Sequence, residues 1–373
     1  MGCDSGVDGK AKNCSAIFLT PCYRTPAASG LTHLGSSKEW LRGKLCLPTL
    51  TGVFFFSIYN PMNSKLTSTL ASIGLIITAA IWGFAFVVVK DSLDYIGPMY
   101  MVAVRYTIAA VCMSLIFIKK WKIISKKYLL HGALTGFFLF AGYATQTVGC
   151  NITTAGKNAF LTTVYVILVP LFSWPLYKKR PGWFVFAAAI LSMTGIGLLA
   201  LGTGDTKGIN LGDVLTLICG VFFALHIIFT AKYNAEDGEN GKGGDPIFLT
   251  LLQFIFVSIF GWICAPIFDG TFSGGEAFNP HVVISMLYLG LLSTMVCFSL
   301  QNIGLKYVPS SLASLFLSFE SVFGVLFSTI FLHEVITVRM IFGCALIFLA
   351  ILLAENGWRL HKYAKKCILI HKR

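Results

Sequence analysis

From about Thr67 to Glu355 the chain alternates apolar stretches of roughly 20 residues with short polar joints, about ten stretches in all. A helix of that length crosses the hydrocarbon core of a bilayer, so the pattern predicts an all-α polytopic membrane protein. The predicted spans of the first half are Thr67–Lys90, Gly97–Ile118, Tyr128–Gly149, Thr153–Leu176 and Trp183–Leu201. Those of the second half are Leu211–Ala231, Pro246–Phe268, His281–Gly304, Ser310–Leu332 and Thr337–Glu355. The function must then lie inside the bundle or across the membrane.

Charge refines this picture. Lys119, Lys120, Lys122, Lys126 and Lys127 fill the joint between spans two and three, and Lys178, Lys179 and Arg180 the joint between four and five. The end of the chain adds Arg359, Lys362, Lys365, Lys366, Lys372 and Arg373, while the intervening joints hold little beyond Lys90, Lys207 and Arg339. The positive-inside rule predicts that both ends of the bundle are cytoplasmic, which requires an even number of spans. The formal net charge of +13 therefore reads as an orientation signal, and nucleic acid is not an expected partner. An apolar fraction of 56% against 12% charged residues leaves too little charge to cover a soluble surface of this length. Cysteines are scattered singly without zinc-type spacing, so neither a metal nor a cofactor is expected.

Four segments follow. Residues 1–61 have mixed polarity and no helical period, and read as a leader that extends upstream of Met62 without a transport role. Residues 67–201 and 211–356 hold the two sets of five spans, and 357–373 form a basic cytoplasmic tail.

The two sets resemble each other. A slide of 155 residues lays Gln146-Thr147-Val148-Gly149 over Gln301-Asn302-Ile303-Gly304 and Tyr165 over Glu320. Pro98 precedes Arg105 by seven residues in span two, as Pro246 precedes Gln253 in span seven. With five spans per half, the second copy enters the membrane from the opposite side. The expectation is two inverted five-helix repeats, an architecture of many secondary transporters.

The same residues carry a family resemblance. Trp82-Gly83 in span one, Arg105-Tyr106 in span two, Pro170 in span four, and Ser314, Glu320 and His333-Glu334 in and beyond span nine resemble motifs of the drug/metabolite transporter superfamily, EamA-type branch. The resemblance covers Thr67 to about Trp358. It departs at Lys179-Arg180, where the first repeat often has Gly-Glu, at Ser321 in place of a proline, and at His333 in place of a glycine. It implies export or exchange of small organic solutes such as amino acids, and it does not fix the substrate.

Candidate site residues are the polar groups at bilayer depth, each of which needs a partner or a wet cavity. Glu320 lies near the middle of span nine, where it could bind a substrate amine, carry a coupling proton, or hold helices together. Arg105 could capture a carboxylate, snorkel outward, or pair with an acid such as Glu334. His226 in span six is the second candidate for proton coupling, against a packing role. Gln146, Asn158, Gln253 and Gln301 suit inter-helix hydrogen bonds, with gating contacts a second reading for the repeat-related Gln146 and Gln301; Ser314 follows the resemblance, and Trp82, Tyr143 and Tyr165 could line a cavity. Gly132 and Gly136 are spaced for close helix approach.

No Walker-type loop, HExxH or GxSxG motif is present, so neither an ATP-driven pump nor an enzyme is expected. The reading is a secondary active transporter in the plasma membrane, working by alternating access. Its partners are a small organic solute, the lipid bilayer and a coupling proton, with oligomeric state open. Alternatives are a nucleotide-sugar or triose-phosphate-like exchanger of the same superfamily, or a channel.

Overall fold

The computed structural model describes residues 64–178, 182–201, 210–235, 244–271 and 279–332, and all but 340, 344 and 351 of the stretch 338–353. The leader 1–61, the tail 357–373, Lys179, Arg180 and His333-Glu334 lie outside the described residues. Every regular element among those described is helical.

Seven helices are long and apolar enough to cross a membrane, and two shorter apolar helices, Trp183–Gly195 and Ile341–Ala350, join them. Lys126–Ile152 completes the set, its 27 residues long enough to cross although Gly and Thr dilute its hydropathy. Span one is Ser64–Ser92, span two Pro98–Ile116 and span three Lys126–Ile152. Span four is broken into Ala155–Thr162 and Tyr165–Tyr177, and span five is Trp183–Leu201. Span six is Leu211–Ala235 and span seven Pro246–Phe268. Span eight runs from Pro280 to Tyr307 through a π-helical segment, Tyr288–Val296. Span nine is broken into Ser310–Leu317 and Phe319–Leu332, and span ten is Ile341–Ala350.

Local sequence explains the ends. Pro98, Pro246 and Pro280 sit at helix starts, where the missing N–H costs nothing. Asp245 and Asn279 cap spans seven and eight through their side-chain oxygens. Asn210 and Asp213 cap span six reciprocally, Asp213 N donating to Asn210 Oδ1 at 2.9 Å and Asn210 N to Asp213 Oδ2 at 3.0 Å.

Packing obeys an exchange of halves, with span one taking the place of six, two of seven, three of eight and four of nine. Span two packs along span seven, its own counterpart. Span three packs on span six, and span eight on span one. Span six packs on span four, and span one on span nine. The chain is thus an all-α polytopic membrane protein of two inverted five-helix repeats. The breaks obey the exchange too. Thr163 and Ser318 interrupt spans four and nine at positions 318 − 163 = 155 residues apart, the same separation as Tyr165 and Glu320.

Small residues set the distances. A Cβ on Gly132 would meet Leu252 Cβ at 2.5 Å, and one on Gly136 would meet Phe256 Cβ at 2.9 Å, so these glycines seat span three on span seven. Spans three and six touch backbone to backbone where Gly149 faces Gly212, a Cβ on either lying within 2.9 Å of the other's carbonyl oxygen. Gly83 in span one lies against the backbone of Phe323 and Gly324 in span nine.

Gly83→Ala should therefore lower the thermal midpoint of the detergent-solubilised protein, the added methyl meeting Phe323 Cβ at 2.5 Å. Overpacking of this kind costs about 1–3 kcal/mol. Gly197→Ala, with nothing within 4 Å, should leave the midpoint unchanged or raise it.

Candidate functional site

Between the two repeats lies a cavity of about 40 Å³. At about 10–15 Å³ per water, it has room for a few waters. Spans one, two, three, four, six, eight and nine all contribute to its wall.

Of the predicted residues, Trp82, Arg105, Tyr143, Gln146, Asn158, Tyr165, His226, Gln301 and Glu320 line this cavity. Gln253 and Ser314 do not. Gln253 is buried in a separate hydrogen-bonded layer, and the Ser314 hydroxyl turns back to donate to Ser311 O at 3.0 Å within its own helix. Wall residues that sequence reasoning missed include Phe86, Thr147, Cys150, Phe223, Ser293 and Phe298. An aromatic in a chain that is 14% aromatic carries no positional signal, and neither does a lone serine.

Glu320 is buried at the start of the second half of span nine, and Tyr165 sits at the matching position of span four. Tyr165 Oη donates to Glu320 Oε1 at 3.1 Å, so the two repeat-related side chains meet across the axis that exchanges the halves. Beside them Ser321 Oγ donates to Thr163 Oγ1 at 3.4 Å, joining the two helix breaks.

Arg105 is 2% exposed and does not snorkel. Its Nε donates to Thr294 Oγ1 at 3.0 Å and its Nη2 to Ser293 Oγ at 3.2 Å. Its guanidinium carbon lies 4.6 Å from the centroid of the Tyr143 ring, a cation–π arrangement. Both hydroxyls belong to the π-helical segment of span eight, which also offers Ser293 O to Trp82 Nε1 at 2.8 Å. A π segment widens the helix and turns adjacent residues toward one side, the local distortion that often marks functional sites. One stretch thus orients both a cation and an indole at the cavity wall.

The repeat-related glutamines are held differently. Gln146 Nε2 donates to Thr162 Oγ1 at 3.0 Å, whereas Gln301 Nε2 has no hydrogen-bond partner. The residue matching Thr162 is Leu317, which offers no acceptor. His226 Nε2 and Asn158 Oδ1 are likewise buried without a partner. Asn158 Nδ2 is engaged, donating to Gln146 O at 3.1 Å and to Thr216 Oγ1 at 2.8 Å.

Polar layers lie at both ends of the cavity. Toward Ala235 and Tyr307, Asn302 Nδ2 donates to Thr250 Oγ1 at 2.6 Å and Gln253 Oε1 at 3.0 Å. Gln253 Nε2 donates to Thr230 Oγ1 at 3.1 Å, and Asn234 Nδ2 to Asn302 O at 2.9 Å, which binds spans six, seven and eight together. Toward Ser92, Lys90 Nζ donates to Cys150 O at 2.9 Å, Asn151 O at 3.2 Å and Thr153 O at 2.9 Å. A cation there complements the open carbonyls at the C-terminal end of span three.

Comparison with known proteins agrees with this geometry. A model of the EamA-like transporter family matches residues 69–201 and 210–355. An uncharacterized transporter of Archaeoglobus fulgidus is 34% identical over 285 residues, 76% of this chain and 85% of its own length. The threonine/homoserine exporter RhtA of Escherichia coli is 28% identical over 272 residues, 70% of this chain and 83% of that one. A solved crystal structure superposes with a TM-score of 0.62 at 14% identity, covering 77% of this chain and 96% of that chain, a likeness of fold.

The amide layer gives a stability prediction. Asn302→Ala removes two buried side-chain hydrogen bonds and should lower the unfolding free energy in detergent. Intramembrane bonds average about 0.6 and reach about 1.7 kcal/mol, so the loss should be about 1–3 kcal/mol. Thr194→Val, which removes only a bond to the carbonyl of its own helix, should change the midpoint little.

Proposed function

Because the chain belongs to the EamA-like transporter family, we propose that it is a secondary active transporter of small organic solutes, amino acids among them, across the plasma membrane. The observation that carries this reading is the cavity between the two repeats, lined by Arg105, Glu320, His226 and the amides of Gln146, Asn158 and Gln301. A buried wall with a guanidinium, a carboxyl group and free hydrogen-bonding atoms suits a polar solute, which a purely packed core would not. The threonine/homoserine exporter among the relatives supports the amino-acid class and the outward direction.

Alternating access is the mechanism such a frame suits. The cavity lies where the two repeats meet, and the paired breaks at Thr163 and Ser318 are the places where spans four and nine can flex around it. The layer around Asn302 closes one end. Lys90, tying spans one and three, closes the other. Opening one while the other stays closed is rocking of one repeat on its partner. By the charge of the joints, the N- and C-terminal ends of the bundle face the cytoplasm.

Coupling to protons falls to Glu320 or His226. Glu320 is the stronger candidate, since its carboxyl touches both the cavity and the other repeat through Tyr165. A proton on that carboxyl changes the charge of the cavity and the bond that joins the halves.

The test is counterflow in liposomes loaded with unlabelled amino acids and other metabolites, followed by an imposed pH step. Saturable exchange of a labelled solute is expected, with pH-driven accumulation. Glu320→Gln should retain counterflow and lose the response to the pH step. A variant that keeps the wild-type pH response removes Glu320 from coupling. Conductance without saturation or counterflow would make the protein a channel.

A further inference from the structure

We propose that Arg105 is the seat for a single carboxylate on the transported solute, and so the residue that decides which solutes enter the cavity. The inference rests on the transporter reading above and adds to it the charge of the group recognised.

A guanidinium carries five N–H donors. The hydroxyls of Ser293 and Thr294 take two of those of Arg105, leaving three without a partner among the described residues. Both acceptors are neutral. No described carboxylate lies within ion-pair distance of the guanidinium, although the side chain is 2% exposed and lines the cavity. Burying a cation with only neutral partners is expensive unless something else completes its shell. The planar fork matches a carboxylate through two parallel bonds, and the Tyr143 ring at 4.6 Å together with the two hydroxyls fixes the plane of the fork.

Other atoms of the same wall point to a bound molecule. Gln301 Nε2 and His226 Nε2 are buried, line the cavity and have no partner. Buried polar atoms are rarely left unpaired, and two such atoms around one space fit a polar ligand that pairs them. The choice between carboxylate and phosphate follows from charge. A dianionic phosphate is ordinarily met by more than one cation, whereas among the described residues Arg105 is the one arginine or lysine of the cavity wall. One carboxylate suits one guanidinium.

The test uses the full chain in proteoliposomes. Counterflow is measured for labelled threonine, alanine and phenylalanine, for choline and glucose, and for glycerol 3-phosphate. The best exchanged solute is then competed with its own methyl ester and amide. The expected result is exchange of carboxylate-bearing solutes, with ester and amide weaker by about 10- to 100-fold, the worth of a charge-assisted hydrogen-bonded pair. Arg105→Gln should weaken the acid to the level of the ester and leave the ester unchanged, and Arg105→Lys should fall between. Should Arg105→Gln lack a thermal transition, the acid-to-ester ratio in the wild type and in Arg105→Lys decides.

Equal competition by acid and ester overturns the proposal, as does an Arg105→Gln variant that weakens both alike, which is the signature of a structural arginine. Exchange confined to glycerol 3-phosphate, choline or glucose also overturns it, and leaves the transporter reading standing. A wild-type protein with a sharp thermal transition that exchanges none of the panel overturns both.

Discussion

An ionisable group inside a lipid-embedded bundle has no water to fall back on, and the cost of placing one there is at least about 2.5–3.5 kcal/mol. Arg105 and Glu320 impose that cost from opposite repeats, and the surrounding structure is arranged to meet it. The π-helical turn of span eight brings two hydroxyls to the guanidinium, and span four brings the Tyr165 phenol to the carboxyl. The close seats at Gly290, where a Cβ would lie 3.0 Å from Arg105 O, and at Gly324, where one would lie 3.2 Å from Ala159 Cβ, keep spans two and eight, and four and nine, near enough for those side chains to reach. Loosening any of these seats would strand a charge, so glycine packing and cavity chemistry are one problem.

The cavity sits where the inverted repeat requires. Two copies related by an axis in the membrane plane must cross it at mid-depth, and residues near the axis meet their own counterparts. Tyr165 and Glu320 are such a pair, and so are the breaks at Thr163 and Ser318. Away from the axis different side chains serve the two ends, Lys90 binding the last carbonyls of span three and Asn234 a carbonyl near the end of span eight.

Much of this was legible in the sequence because lipid enforces length. Trp183–Leu201 and Pro246–Phe268 have the predicted limits, and span three ran longer than predicted because Ser125 caps it early, its Oγ accepting from Tyr128 N. The 155-residue slide lays Tyr165 over Glu320, and these are the two side chains that meet in the structure. Facing was less legible. These helices are apolar nearly all round, so no stripe tells which side meets a neighbour. The sequence thus does not distinguish Gln253, which belongs to the Asn302 layer, from the amides of the cavity wall, nor does it single out Ser293, which holds Arg105. The breaks and the π segment left no mark either, since Thr163, Ser318 and Leu289 are ordinary residues of an apolar helix.

The exchange of halves is imperfect at one telling place. Gln146 is anchored by Thr162, while the residue that matches Thr162 in the other copy is Leu317 and Gln301 Nε2 is left without a partner. In a strictly symmetric protein the two conformations related by swapping the halves would have equal energy, and the membrane's two sides would be served alike. Leu317 breaks that degeneracy, as does an arginine where the other copy has Gln253. Under the proposed alternating-access mechanism, a resting preference for one face would therefore rest on single-residue differences between two otherwise matched copies.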